Sequence, residues 1–69
     1  MTFGQAIEEL KQGKKMRRSN WKKEAPDIYI FIKYGGFIMR CLNYKNEEKF
    51  EFPCFYSCDY LADDWEEYK

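Results

Sequence analysis

The spacing of apolar residues near the start of the chain predicts a helix over residues 3–12. Its apolar residues recur at i, i+3, i+4 and i+7, which is the repeat of a single helical face. Thr2 and Gln5 have the spacing of a capping box, and Gly13 suits the left-handed conformation that ends many helices. The residues on the predicted apolar face are Phe3, Ala6, Ile7 and Leu10.

After this helix the pattern changes to short apolar segments separated by turns. Gly35 and Gly36 give a hairpin signal, a second turn is predicted over residues 43–48, and Pro53 suits a strand end because proline cannot donate to a ladder. Residues 22–26 are polar and predict a loop. The predicted strands are residues 16–18, 28–33, 38–42, 49–52 and 65–68, and a short helical turn capped by Ser57 runs through Asp59 to Ala62.

These elements predict an α+β fold, in which one N-terminal helix packs on an antiparallel sheet of about five strands. The strand over residues 28–33 alternates isoleucine with Tyr29, Phe31 and Lys33, so it is apolar on nearly both faces. One face of this strand therefore needs a cover other than the sheet itself.

The chain length limits the fold to one domain over residues 1–69. A chain of this size buries only about 60% of the surface that its unfolded form exposes, so its stability is marginal. Six Phe, six Tyr and two Trp supply part of the missing burial. Oligomerisation or a structural metal is expected to supply the rest.

The charges cancel over the whole chain but are unevenly placed. Twelve basic and twelve acidic residues give a net charge of zero, while residues 11–23 hold seven Lys or Arg and no acid, and residues 47–67 are mostly acidic. Direct binding of extended nucleic acid is disfavoured, because it needs many uncompensated cations. No segment approaches the roughly 18 apolar residues of a membrane span, and a signal-peptide core is missing, so we expect a protein of the cytoplasm.

The sequence offers little for catalysis. It contains no His, no glycine-rich phosphate loop and no nucleophile elbow. The adjacent acids Asp63 and Asp64 precede a strand, where such residues more often cap backbone N–H groups than transfer protons. We therefore expect a protein that is not an enzyme.

Three cysteines raise the question of a metal. Cys54 and Cys58 are four residues apart, and Cys41 lies on a strand expected to run near the one that ends at Pro53. With Asp59 or a ligand from a second chain, three thiolates complete the four ligands of a structural zinc site. Buried, unliganded thiols explain the same residues about equally well, since Cys is among the most buried residue types.

A basic and aromatic cluster is the best candidate for contact with a phosphate or a nucleobase. Arg17 and Arg18 carry guanidinium groups that suit phosphate, and an exposed Trp21 would stack on a base. The competing interpretation places Trp21 in the core and both arginines on the surface of a strand.

Four motifs give the chain a resemblance to a known family. They are Phe-Gly-Gln-Ala at residues 3–6, Lys-Gln-Gly-Lys at 11–14, Arg-Ser-Asn-Trp at 18–21 and Asp-Tyr-Leu-Ala-Asp-Asp-Trp at 59–65. Together they resemble the Thoeris anti-defence 2-like family of small phage and prophage proteins. The middle hairpins match only in outline: a family insertion between the middle strands is missing, and Cys54 stands after Pro53 where the family usually has Trp.

The resemblance implies a phage-encoded protein that disables bacterial immunity inside the host cell. Members of the family are of two kinds. Sponges bind cyclic ADP-ribose-type or cyclic oligonucleotide signals between protomers, whereas anti-CRISPR proteins block the effector nuclease of type II systems. In a sponge, Trp21 and Arg18 would face the ligand, while Asp64 and Trp65 would stabilise the terminal turn.

We interpret the chain as an anti-CRISPR protein that binds a type II CRISPR effector nuclease. The interpretation rests on the short middle region and on an acidic surface, in which Glu66 and Glu67 are the expected contacts with a basic groove. A signal sponge and a small structural or toxin-like prophage module are the alternatives. The other carboxylates of the proposed acidic surface are Glu47, Glu48, Glu51, Asp63 and Asp64.

Overall fold

A computed structural model describes residues 1–23 and 25–69. Helix α1 spans Phe3–Lys11 and begins with the predicted capping box: Gln5 N–H donates to Thr2 Oγ1 at 3.2 Å, and Thr2 N–H donates to Gln5 Oε1 at 2.8 Å. Gly13 has φ of 88°, which is the left-handed conformation expected after the helix. The helix ends one residue before the predicted limit.

Five strands form one sheet in the order β4-β3-β2-β1-β5, and each adjacent pair is antiparallel. This confirms the predicted α+β class. The strands are β1 (Met16–Arg18), β2 (Tyr29–Lys33), β3 (Gly36–Leu42), β4 (Glu48–Glu51) and β5 (Trp65–Glu67).

Two short helices differ from the predicted pattern. A 3-10 helix covers Ser19–Lys23, so Lys22 and Lys23 lie in a helical turn where a loop was predicted, and residue 24 of that loop lies outside the described residues. Helix α2 covers Ser57–Leu61, so Ser57 is its first residue and not its cap. The start of α2 is held instead by Asp59, whose Oδ2 accepts from the backbone N–H of Tyr56 at 2.9 Å.

The core lies between α1 and one face of the sheet. Its fully buried residues come from α1, from the middle of the sheet and from β5, and Phe3 packs against Trp65 with ring centroids 5.1 Å apart. The backbone N–H of Trp65 also donates to Met1 O at 3.0 Å, which joins the two ends of the described chain. The core residues are Ala6, Leu10, Met16, Ile30 and Trp65.

The opposite face of the sheet carries a second set of apolar residues. Ile30 pairs with Met39 on the core side, so the neighbouring Phe31 and Ile38 point to the other side. Helix α1 packs on the core side and α2 packs against α1, so neither covers this second face. We call it the open face; its apolar residues are Tyr29, Phe31, Ile38, Phe50 and Tyr68.

No helix among the described residues is long and apolar enough to cross a membrane.

Candidate functional site

A cleft of 290 Å³ opens beside the 3-10 helix, and we call it the Trp21 cleft. Trp21 is half-buried and meets Trp65 edge to face, with ring centroids 5.4 Å apart. The two interpretations of Trp21 are therefore compatible, because one side of the indole packs on the core while the side chain also lines the cleft. The other lining residues are Arg18, Asn20, Ala25, Ile28, Met39, Cys54, Phe55, Tyr56, Cys58 and Asp59.

Arg18 is held between two carboxylates at the edge of this cleft. Its Nε donates to Asp64 Oδ1 at 2.8 Å, and its Nη1 donates to Asp59 Oδ1 at 2.8 Å. The Arg18 side chain is 13% exposed and that of Asp59 is 10% exposed. Charge-assisted hydrogen bonds of this length in a partly dry site are strong, so the three side chains form a rigid unit.

The remaining oxygens of both carboxylates also have partners. Asp64 Oδ2 accepts from Ser19 Oγ and from the backbone N–H of Asn20, both at 3.1 Å. The hydrogen bond from Arg18, with those from Asn20 and Ser19, lowers the pKa of Asp64 below its ordinary value, against the opposing effect of partial burial. The hydrogen bond to Asp64 in turn raises the pKa of Arg18.

Arg17 lies on the opposite face of β1 from Arg18, as strand alternation requires. Its Nε contacts Glu66 Oε1 at 3.4 Å, its Nη1 donates to Pro26 O at 3.2 Å, and its guanidinium lies 5.1 Å from the Tyr68 ring centroid. The predicted cluster of Arg17, Arg18 and Trp21 is therefore divided: the Trp21 cleft contains Arg18 and Trp21, whereas Arg17 belongs to the open face.

The predicted acidic contacts also differ from each other. Glu66 pairs with Lys22 at 2.9 Å as well as with Arg17, and the hydrogen bond from Lys22 is the largest cause of its lowered pKa. Glu67 is exposed and makes no ion pair with any residue of the described chain. Glu67 is thus the more available of the two for a basic partner.

Ion pairing reduces the acidic surface proposed from the sequence. Glu48 pairs with Arg40, Glu51 pairs with Lys49, and Asp64 and Glu66 are paired as described above. Four of those seven carboxylates are therefore already matched with cations inside the domain. The carboxylates that remain are Glu47, Asp63 and Glu67.

The structure separates the cysteines proposed as zinc ligands. Cys54 and Cys58 line the Trp21 cleft, whereas Cys41 lies on β3 opposite Lys49, with its Sγ 3.6 Å from Glu51 Oε1. Burial, with the nearby Glu51 carboxylate, raises the pKa of Cys41. Within residues 1–23 and 25–69, no three Cys, Asp, Glu or His side chains are grouped to hold a metal, and both oxygens of Asp59 are already bonded. Zinc binding stays a prediction that no ligand set among these described residues supports.

Sequence reasoning missed a group of exposed apolar side chains between the end of β4 and the end of α2, one of which, Tyr56, lines the cleft. Four large apolar side chains in residues 52–61 are between 52 and 84% exposed. The sequence signal that could have revealed these side chains is the density of aromatic residues around α2. A short helix can bury only one stripe of apolar side chains, so the others stay exposed. We call this group the apolar ridge; it consists of Phe52, Tyr56, Tyr60 and Leu61.

Comparison with known proteins identifies the family. A search of curated proteins found no matching relative. The family model for the Thoeris anti-defence 2-like domain matches residues 1–68, which include all four sequence motifs and every element of the fold. This chain therefore belongs to the Thoeris anti-defence 2-like family.

Proposed function

We propose that this protein disables a bacterial defence system by stoichiometric binding, and that its target is the effector nuclease of a type II CRISPR system. Family membership supports a role in phage anti-defence. The main observation in favour of a protein target is the apolar ridge, which adjoins the Trp21 cleft. In that cleft the positive charge of Arg18 is already neutralised by Asp59 and Asp64.

The apolar ridge has the composition of a protein interface. The centres of such interfaces are rich in aromatic side chains, and a few well-packed anchors supply most of the binding energy. Tyr56 is both part of the ridge and a wall of the Trp21 cleft. An apolar side chain of the partner can therefore enter the cleft while the ridge packs around it.

The same cleft is poorly suited to a phosphate group. Arg18 is bound by Asp59 and Asp64, and a phosphate would have to compete with two carboxylates for one guanidinium. Loss of those contacts would leave the buried Asp59 and the partly buried Asp64 without a cation, which is costly. This electrostatic argument favours a protein partner over a cyclic nucleotide.

The choice of a nuclease rests on charge and on the resemblance. Glu47, Asp63 and Glu67 remain exposed without an ion pair in the described chain. Asp63 and Glu67 lie at the β5 edge of the sheet and complement the basic channel that holds nucleic acid in such a nuclease, whereas Glu47 lies at the opposite edge, beside β4. The short middle region, without the insertion that the family usually has, agrees with a surface that docks on a protein.

Inhibition of DNA cleavage by a guide-loaded type II nuclease tests this function. We expect wild-type protein to stop cleavage, and Tyr56→Ala and Leu61→Ala to weaken inhibition by roughly tenfold each, as for interface anchors. Tyr44→Ala is the matched control, because Tyr44 is 90% exposed at the hairpin between β3 and β4 and lies outside the ridge. Full inhibition by folded Tyr56→Ala and Leu61→Ala variants would remove the ridge from the mechanism, and no inhibition by wild-type protein would reject the nuclease.

A signal sponge is the second candidate, and the Trp21 cleft is the observation that favours it. Its volume of 290 Å³ lies near the lower end of small-molecule sites, and an indole forms one wall. A sponge would be stabilised by its ligand, by about 2.7 kcal/mol at a concentration 100 times the Kd. Melting curves with cyclic ADP-ribose isomers and cyclic dinucleotides test this: a rise that is lost in Trp21→Ala would make the sponge the function.

A further inference from the structure

We propose that the open face binds a short single strand of nucleic acid by stacking its bases on aromatic side chains. This site is separate from the Trp21 cleft, and its existence does not depend on the identity of the defence target. The observations that carry it are a continuous row of aromatic rings across the sheet and an excess of cations around that row.

The rings of the aromatic row come from β2, from β4 and from the residue after β5. Tyr29 lies 4.6 Å from Tyr68 and 5.9 Å from Phe31, and Phe31 lies 6.1 Å from Phe50, measured between ring centroids. Phe50 is 54% exposed. Aromatic side chains on an uncovered antiparallel sheet are the means by which sheet-based domains stack unpaired bases.

Cations surround the row. Lys15 Nζ lies 4.9 Å from the Tyr29 centroid, and Lys33 Nζ lies 5.3 Å from the centroid of Tyr34, at the end of the β2–β3 hairpin. Neither lysine makes an ion pair within residues 1–23 and 25–69. Both therefore remain available to phosphates.

The other cations on the face are only partly balanced. Arg17 and Lys22 share the single carboxylate of Glu66, and Arg40 pairs with Glu48. Together with Lys15 and Lys33, these residues make five cations on the open face. They are opposed by two paired carboxylates, Glu48 and Glu66. The net charge of zero over the whole chain is compatible with this local excess of cations.

The charge pattern of the open face favours a single strand of nucleic acid over two other occupants, a second copy of this protein and a nucleic-acid duplex. A second copy docked face to face would bring Lys15 and Lys33 of one copy towards the same positive surface of the other, which is unfavourable. A duplex would present phosphates but no exposed base faces to the rings. A single strand satisfies both features, and a cleft of 450 Å³ between Lys15, Lys33 and Phe50 has room for a nucleotide.

Fluorescence anisotropy with labelled ten-nucleotide oligo(dT) and oligo(U) tests the proposal. We expect saturable binding by the wild-type protein at low salt, and a slope of log K against log salt of about −2, as for about three released counterions. Phe50→Ala is expected to weaken binding on the order of tenfold. The double variant Lys15→Gln/Lys33→Gln is expected to reduce the salt slope as well as the affinity.

Matched variants distinguish the face from the rest of the surface. Lys11→Gln/Lys49→Gln removes the same charge from side chains that are exposed elsewhere, and Tyr44→Ala removes an exposed aromatic side chain that contacts no ring of the row. Binding that is unchanged in these controls and weakened in the face variants supports the proposal. Absence of oligonucleotide binding by wild-type protein, or equal loss in both sets of variants, overturns it. If nuclease inhibition requires Phe50 while oligonucleotides do not bind, the open face contacts protein and the proposal is wrong.

Discussion

Replacement of Arg18 by methionine tests whether its ion pairs stabilise the fold. Methionine keeps much of the length and packing of the side chain but removes the charge. In the wild-type protein, Arg18 makes two hydrogen bonds of 2.8 Å, one to Asp59 and one to Asp64. The side chain of Asp59 is 10% exposed and that of Asp64 is 28% exposed. Arg18→Met leaves both carboxylates without their cation, and Asp59 is nearly shielded from water.

The expected loss is about 3 kcal/mol, at the lower end of the cost of breaking a buried pair, because Asp64 is partly solvated and keeps its bonds from Ser19 and Asn20. A domain of this length has a total free energy of unfolding of about 3–10 kcal/mol. The melting temperature should therefore fall by roughly 12–24 °C, if the variant folds at all.

Urea unfolding followed by the fluorescence of buried Trp65 measures this change. Arg17→Met is the matched control, because it removes the same residue type from the next position of β1. Its 3.4 Å contact is with Glu66, which keeps Lys22, so we expect a loss of about 1 kcal/mol or less. Equal stability of wild type and Arg18→Met would show that the two aspartates do not depend on Arg18. As a second check, the difference between wild type and Arg18→Met should shrink at acidic pH, because Arg18 lowers the pKa of Asp64 and this contribution to stability is lost as Asp64 becomes protonated.

Three further predictions test other parts of the structure. The pKa values of Asp64 and Glu66 are lowered from their ordinary values of 3.8 and 4.5, so the unfolded chain binds more protons than the folded chain at acidic pH. The free energy of unfolding should therefore be fully present above about pH 4.5 and should fall as the pH drops through the lowered values. Urea midpoints measured against pH should show this fall, and their dependence on pH should be weaker in Asp64→Asn. Thr2→Ala removes the capping oxygen and should cost about 1 kcal/mol in urea unfolding, while Thr2→Ser should retain most of it; equal values for both would argue against the cap. Exposed Cys54 and Cys58 should react quickly with a thiol reagent at pH 8 and Cys41 slowly, since its pKa is raised; protection of all three thiols that a chelator relieves would instead show the zinc site.

The features that sequence reasoning predicted well are those that depend on neighbours along the chain. The capping box needs only Thr2 and Gln5, and the apolar stripe of α1 needs only helical spacing. Alternation in β2 predicted apolar side chains on both faces of the strand, and in the structure Tyr29 and Phe31 lie on the face opposite to Ile30. Each prediction concerned geometry that is repeated within a few residues.

The site was harder to predict because it depends on contacts between distant segments. The pairing of Arg18 with Asp59 and Asp64 joins positions more than 40 residues apart, and the register between β1 and β5 determines it. The register of β3 with β4 places Cys41 opposite Lys49, whereas Cys54 follows the end of β4, and no spacing of cysteines reveals this arrangement. Strand alternation would have placed Arg17 and Arg18 on opposite faces, and the sequence interpretation did not use it.

Calorimetric titration tests the proposal of a stoichiometric protein inhibitor most directly. The protein is titrated into a guide-loaded type II nuclease and, separately, cyclic ADP-ribose isomers are titrated into the protein. We expect saturation at a fixed molar ratio with the nuclease, weaker binding by Tyr56→Ala, and no heat of binding with the nucleotides. Saturable nucleotide binding that disappears in Trp21→Ala, together with no binding to the nuclease, would contradict the account and identify the protein as a signal sponge.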